Sequence, residues 1–193
     1  KTAKKDAPTI AFVGKGITFD PGGLSIKPAA GMENMKDEMS GASAVISALD
    51  IIAQIKPDVN VIGVTPIAEN MPSGKATRPG DIVRFYNGKT AEVRNTDAEG
   101  RLILADALSY VAKHYKPNAI IDIATLTGMC AYFFGPFYTA MLSNNKTVEN
   151  NILAASARTG EKIWPLPHDE DYKQAITSHI ADIQNTGKEN IKS

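Results

Sequence analysis

Cysteine is nearly absent from this sequence: Cys130 is the single one among 193 residues. A lone thiol excludes an internal disulfide framework and a thiolate metal cluster, so any metal site must use oxygen and nitrogen ligands, and the pattern suits a reducing compartment. An excess of either charge is missing as well, with 21 Lys and Arg against 21 Asp and Glu. Zero net charge supplies no general pull toward nucleic acid or an anionic membrane surface. Long hydrophobic runs are also lacking. The strongest apolar stretch, Ala119 to Ile123 running on toward Cys130, is interrupted by Asp122, Thr125, Thr127 and Gly128 and is too short to cross a bilayer. Neither a membrane nor a nucleic-acid partner is expected. The opening Lys1 to Pro8 has no apolar segment of the secretory kind, and its Lys1, Lys4 and Lys5 read as a solvated terminus.

What is present is 43% hydrophobic residues, enough to offset chain entropy with a buried core. Short β-branched runs alternate with helical patterns, which argues for an α/β architecture. Pro8 to Val13 reads as a buried strand. From Glu33 to Ala53 the positions Met35, Met39, Ala42, Val45, Ile46, Leu49 and Ile52 recur at three and four residues, predicting one helix with one buried stripe, closed by Lys56-Pro57. Strands are expected over 59–67, 118–126 and 139–143, and helices over 102–115 and 148–158. Asp81 to Val93 reads as a hairpin in which Asn87-Gly88 supplies positive φ angles for a tight turn. Trp164 is expected to pack a loop against the body, and Cys130 to act as a small buried hydrophobe. His114, His168 and His179 stand in no metal-binding spacing and read as surface or helix-end residues.

Two loops are dense in functional groups, and open α/β sheets place ligands in loops that follow strands. The first, Gly14-Lys-Gly-Ile-Thr-Phe-Asp20-Pro-Gly-Gly-Leu-Ser-Ile-Lys27, sets Lys15, Asp20 and Lys27 among glycines that allow close backbone approach, without the phosphate-loop or dinucleotide-binding order. The second is Asn95-Thr-Asp97-Ala-Glu99-Gly-Arg101. If Asp97 to Glu99 is extended, the period of two points both carboxylates to one side, with Arg101 at the following helix start. Two carboxylates aimed at one point must bind a cation, share a proton or face solvent; taken alone, a solvated turn in which Asp97 caps the helix is the better explanation. A third acidic cluster, Asp37-Glu38, shifts the balance. Asp20, Asp37 or Glu38, Asp97 and Glu99 are hard oxygen donors suited to Mg, Mn or Zn, and their number suggests two ions.

These motifs, together with Lys27-Pro28 and Met35-Lys-Asp-Glu-Met39, closely resemble the catalytic domain of the leucyl (cytosol) aminopeptidases, the M17 metallopeptidases, from Ala11 to Thr186. The resemblance implies a three-layer α/β/α fold with a central, mixed and mostly parallel sheet of the phosphorylase/hydrolase kind. It implies two divalent ions, Mn or Zn with Mg as a third option. Lys15, as a neutral amine, Asp20, Glu38, Asp97 and Glu99 would be their ligands. Lys27 would polarise the scissile carbonyl, and Arg101 would hold a bicarbonate that serves as general base. Met35, Thr125, Gly128 and Ala131 would line a pocket for an apolar side chain, although core packing explains Met35 equally well. The family pattern has an aspartate where register places Glu38; Asp37 is the competing ligand, and a helix would turn it about 100° away.

The activity so implied is removal of an N-terminal residue, Leu or another apolar one, from peptides in the cytoplasm by a homo-hexamer. A two-metal phosphoesterase is the rival enzyme, but it leaves Lys15 unexplained; DNA binding beside peptidase activity is the rival of another class. The resemblance also implies that residues 1–193 form one catalytic domain cut short at its C-terminal end and lacking the family's N-terminal domain, with apolar surface left exposed.

Overall fold

The structure, a computed structural model, describes residues 6–188. Their chain divides into two compact units, one running to Leu126 and resuming at Ile176, the other Thr127–Ala175. In the first unit β1 (Thr9–Gly14) leads through Lys15 into β2 (Gly16–Ile17), and a 3-10 helix over Met32–Met39 runs into α1 (Ser40–Ile55). β3 (Asn60–Val64), β4 (Ile67–Ala68), β5 (Ile82–Arg84), β6 (Thr90–Glu92), α2 (Gly100–Tyr115) and β7 (Ala119–Ile123) follow. The helix expected over 33–53 thus begins as the tighter 3-10 form and becomes α only at Ser40. The run Met32–Ile55 is long and apolar enough to match a membrane span by length and composition. Its first turns, however, hold Glu33, Lys36, Asp37 and Glu38, and α1 packs on β1 and β3.

β3, β1 and β7 pair in parallel in that order, with Phe12 opposite Gly63 and Ile121, and Val13 opposite Val64 and Asp122. Side chains alternate between the two faces of a strand. Ala11 and Val13 therefore share one face with Ile62, Val64 and Ile120, and against it α2 sets Leu104, Ala107 and Val111. The opposite face carries Gly63, where any Cβ would collide with Val45 and Leu49 of α1. Helices on both faces of a parallel sheet give the three-layer α/β/α arrangement. Val13, Val45 and Val111 are fully buried; each such side chain contributes roughly 1.5–3 kcal/mol. Apolar residues also stand outside this core, among them Ile46, Ile51 and Ile55 on α1.

The expected hairpin forms, β5 pairing antiparallel with β6, but its turn differs. Phe85 N donates to Lys89 O and Gly88 N to Phe85 O, which leaves a three-residue loop of Tyr86, Asn87 and Gly88. Only Gly88 has a positive φ (89°), as in a type I turn followed by a left-handed residue, so Asn87 supplies no such angle. α1 and α2 both end on a left-handed lysine, Lys56 and Lys116, each followed by a proline that cannot continue the helix.

The second unit holds α3 (Met129–Phe134), β8 (Thr139–Met141), α4 (Lys146–Thr159) and β9 (Ile163–Pro165), with β8 and β9 parallel. Asn145 caps α4 by accepting from Thr147 N and Val148 N, and Gly160 closes it. Two sequence expectations fail here. Trp164 is 54% exposed and meets Tyr138 edge-on at 6.1 Å, and Cys130 is only partly buried. In the first unit, β10 (Ile183–Gln184) pairs in parallel with β6.

Candidate metal centre

Lys15 follows the carboxyl end of β1, and its backbone is tied on both sides. Its N–H donates to Ile123 O at the end of β7 (3.0 Å), and its carbonyl accepts from Ala42 N in the first turn of α1 (2.8 Å). The side chain then runs beneath the start of α2. A Cβ at Gly100 would lie 2.8 Å from both Lys15 Cδ and Cε, so glycine is what lets the helix pass over the lysine. Lys15 is 2% exposed. Its Nζ donates to Thr125 O (2.7 Å) and to Glu38, and pairs with Glu99 Oε1 at 2.9 Å.

Lys27 provides a second, partly buried ion-pair centre. Its Nζ donates to Asp20 Oδ2 (2.5 Å) and to Asp97 Oδ1. Asp20, 2% exposed, also accepts at Oδ1 from Gly22 N (3.0 Å) and Asn70 Nδ2 (2.8 Å). The expected residues Lys15, Asp20, Lys27, Glu38, Asp97 and Glu99 therefore converge from segments far apart in sequence. Glu38 also accepts from Thr125 Oγ1 at 3.0 Å, whereas Asp37 is exposed.

Asp97 and Glu99 do not converge as an extended strand would place them. Ala98 N donates to Asn95 O (3.2 Å), closing a turn around Asp97, and Glu99 has helical angles as the residue that opens α2. The turn, rather than a strand period of two, aims both carboxylates inward. Nor does Asp97 cap α2: the cap position is Glu99, with no side-chain cap bond.

Oxygens of Asp20, Asp97 and Glu99 lie within 4.8 Å of one another. Burial pushes the Glu99 carboxyl above the usual range, against the pull of Lys15. Burial also raises that of Asp97; Lys27 opposes the rise, and the charges of Asp20 and Glu38 add to it. Glu99 Oε1 is buried and, among the described residues, takes no well-directed hydrogen bond. For Lys27 burial works against the ammonium, but the bonds and charges of Asp20 and Asp97 outweigh it and raise its pKa. Arg101, in the first turn of α2, is half-buried, and that burial lowers its pKa against the charge of Glu99.

With two lysines for four carboxylates, the cluster keeps an excess of negative charge. Effective burial penalties run to several kcal/mol per ion, against a total stability of about 5–15 kcal/mol. Such a cluster is a poor way to stabilise a fold. Clustered hard oxygens, a buried Glu99 oxygen whose contact is an ion pair with Lys15, and raised carboxyl pKa values fit divalent cations.

Of the four expected pocket residues, two adjoin this cluster. Met35 O accepts from Asp20 N (3.3 Å), and Thr125 bonds both Lys15 and Glu38. Gly128 and Ala131 belong to the second unit, at the start of α3, where Ala131 N donates to Gly128 O (3.1 Å).

Residues that the sequence did not single out hold the two loops together. Thr96 Oγ1 donates to Gly22 O (2.6 Å) and accepts from Ser25 N (2.8 Å), while Thr96 N donates to Ser25 Oγ (3.1 Å). Asn70 Nδ2 also donates to Thr96 O (2.9 Å). Asn185, in a segment that reads as loop, is 3% exposed. Its Oδ1 accepts from Arg94 N (2.8 Å) and Asn95 N (3.3 Å), and its Nδ2 donates to Asn95 O (2.6 Å) and Ala98 O (3.3 Å). A buried asparagine so fully satisfied acts as a clamp. Position alone, in loops at strand ends, was the available signal for Asn70 and Asn185.

The chain matches the model of the cytosol aminopeptidase family, catalytic domain, over residues 1–193. Among curated proteins, the probable cytosol aminopeptidase of Chlorobium luteolum is 52% identical over 184 residues, 95% of this chain and 36% of that protein. The corresponding protein of Chlorobium limicola is 50% identical over 97% of this chain and 37% of its own length. The chain thus spans little more than a third of these relatives. Among solved structures, the leucine aminopeptidase of Caenorhabditis elegans superposes with a TM-score of 0.93 at 37% identity, over 97% of this chain and 38% of that one. The bottromycin maturation enzyme BotP in complex with Mn gives 0.89 at 38% identity, over 94% and 40%.

Proposed function

The chain belongs to the cytosol aminopeptidase family, and from that membership we propose that it forms the metal-binding part of a metal-dependent aminopeptidase that removes N-terminal residues from peptides. The observation that carries this reading is the convergence of Asp20, Asp97 and Glu99 oxygens within 4.8 Å, beside two lysines too few to neutralise the cluster.

Lys15, Asp20, Glu38, Asp97 and Glu99 are the residues that would hold two divalent ions. Oxygen donors with one amine suit Mn or Zn, and Mg less well; the Mn in the related bottromycin enzyme supports Mn. When bound, such ions supply Lewis-acid charge that polarises the peptide carbonyl and acidifies the attacking water. The chain's own groups do the rest. Lys27, its pKa raised by its carboxylate neighbours, keeps its proton through neutral pH and is the donor that meets the carbonyl oxygen as negative charge grows there. It is fixed before substrate arrives, so it requires no reorganisation during reaction. Arg101, at the positive end of α2, would hold bicarbonate through its guanidinium and the helix terminus. Met35 and Thr125, beside the cluster, would contact the side chain of the N-terminal residue, an apolar one such as Leu. The whole protein, on this reading, works in the cytoplasm as a homo-hexamer.

The test is hydrolysis of a fluorogenic leucyl amide by the full chain. Activity should require Mn or Zn and vanish with a chelator. Lys27→Ala should lower turnover about 10²-fold while metal content by elemental analysis is unchanged. A chain that binds metal but cleaves a phosphomonoester instead of the amide would overturn the peptidase reading.

A further inference from the structure

We propose that Asn70 is a positioning residue for the metal centre: one side-chain amide sets the orientation of Asp20 and the placement of Asp97, and thereby the affinity and geometry with which a divalent ion is held. The inference rests on the metal-centre reading above and assigns a role to a residue outside the ligand set.

The placement of Asn70 follows from a parallel ladder. β2 and β4 pair with Gly16 opposite Ile67 and Ile17 opposite Ala68. The pairing continues past both strands, since Thr18 N donates to Ala68 O (2.9 Å) and Asn70 N donates to Phe19 O (3.1 Å). Where one strand delivers Asp20, its neighbour delivers Asn70 alongside. The amide Nδ2 then donates to Asp20 Oδ1 (2.8 Å) and Thr96 O (2.9 Å). A carboxylate and a carbonyl only accept, so chemistry requires that the NH₂ end of the amide face them. Its Oδ1 points toward Gly23, where a Cβ would lie 2.8 Å away.

The consequence for Asp20 is a choice between its oxygens. Oδ1 takes two N–H donors, from Gly22 and Asn70. Oδ2 faces Lys27 and is left for the cluster. Two donors on Oδ1 oppose rotation of the carboxylate and so favour Oδ2 as the oxygen turned to the cluster. The consequence for the second loop is equally direct, because Thr96 O is the carbonyl of the peptide preceding Asp97. Asn70 therefore links two ligand-bearing loops through the two hydrogens of one nitrogen. Partners that orient metal ligands typically change metal affinity or activity 10–100-fold when removed.

The experiment compares wild-type and Asn70→Ala full chains by Mn titration against a chromogenic chelator, with the visible spectrum of the Co(II)-loaded protein as a second readout. The variant should bind Mn at least about tenfold more weakly and show a shifted Co(II) band at saturation, because the ligand geometry of the folded protein has changed. A role confined to fold stability would lower the melting temperature of the metal-free chain and leave both readouts of the folded protein unmoved, which overturns the proposal. Should Asn70→Ala fail to fold, Asn70→Asp keeps the shape and replaces the donor by an acceptor. Its Co(II) spectrum should shift likewise, and an unchanged spectrum overturns the proposal. Wild-type protein that binds no Mn or Co(II) overturns the metal-centre reading itself, whereas wild-type and variant that bind alike overturn only the role of Asn70.

Discussion

Asp37 and Glu38 differ by one methylene and by one step along a 3-10 helix, and the step decides which of them reaches Lys15. With three residues per turn, neighbours point about 120° apart. Asp37 faces solvent, while Glu38 meets Lys15 Nζ and Thr125 Oγ1. Glu38→Ala should therefore lose bound metal by elemental analysis, with affinity reduced about tenfold or more, and Asp37→Ala should retain it. Metal loss in Asp37→Ala alone would mean that the helix turns the other way in the loaded protein. The charged residues of this cluster stand out in the sequence only as a set, since each loop alone has a bland explanation and the third acidic cluster, Asp37-Glu38, with the family resemblance, tips the balance. Asn70 and Asn185 were not legible. An asparagine in a loop has no distinguishing local pattern, and the partners that define these two are 26 to 91 positions away.

Among the elements, the long periodic ones were read most accurately and the short connections least. α2 and α4 begin within two residues of their expected starts, because an apolar stripe repeated over several turns outweighs local exceptions. Over Asn95–Ala98 the sequence leaves strand and turn both open, since alternating Asp97 and Glu99 imitate a period of two. The hydrogen bond closed by Ala98 N, supported by Asn185, makes the segment a turn. At the start of α4, Asn145 accepts from two backbone N–H groups that would otherwise lack partners. Asn145→Ala should cost about 1 kcal/mol, seen as a lower melting temperature by circular dichroism, with metal content unaffected. A variant melting with wild type would show that α4 is held by packing alone.

For the molecule as a whole, a pH dependence follows from contacts between segments far apart in the chain. Asp182 accepts from Thr90 N (2.7 Å) and Thr90 Oγ1 (2.8 Å) across 92 positions, and these bonds, the backbone one first, hold its carboxyl below the ordinary range. A depressed carboxylate pKa contributes stability that is full above the unfolded value of about 3.9 and lost as pH falls through the lower folded value. Asp182→Asn should therefore unfold at lower urea than wild type at neutral pH, and the gap should close as pH falls below the ordinary carboxylate value of about 3.9. A constant gap would trace the difference to packing instead. The α/β class, the helices α2 and α4 and the gathering of hard oxygen donors were determined by the sequence, because hydrophobic period, turn chemistry and residue type are local properties. Only the tertiary structure decided that Glu38 meets both Lys15 and Thr125, that a turn aims Asp97 and Glu99 inward, and that Asn70 and Asn185 hydrogen-bond the loops that carry them. Those outcomes depend on which distant backbone groups a parallel ladder and two helix termini bring within hydrogen-bond reach, and no local pattern encodes that distance.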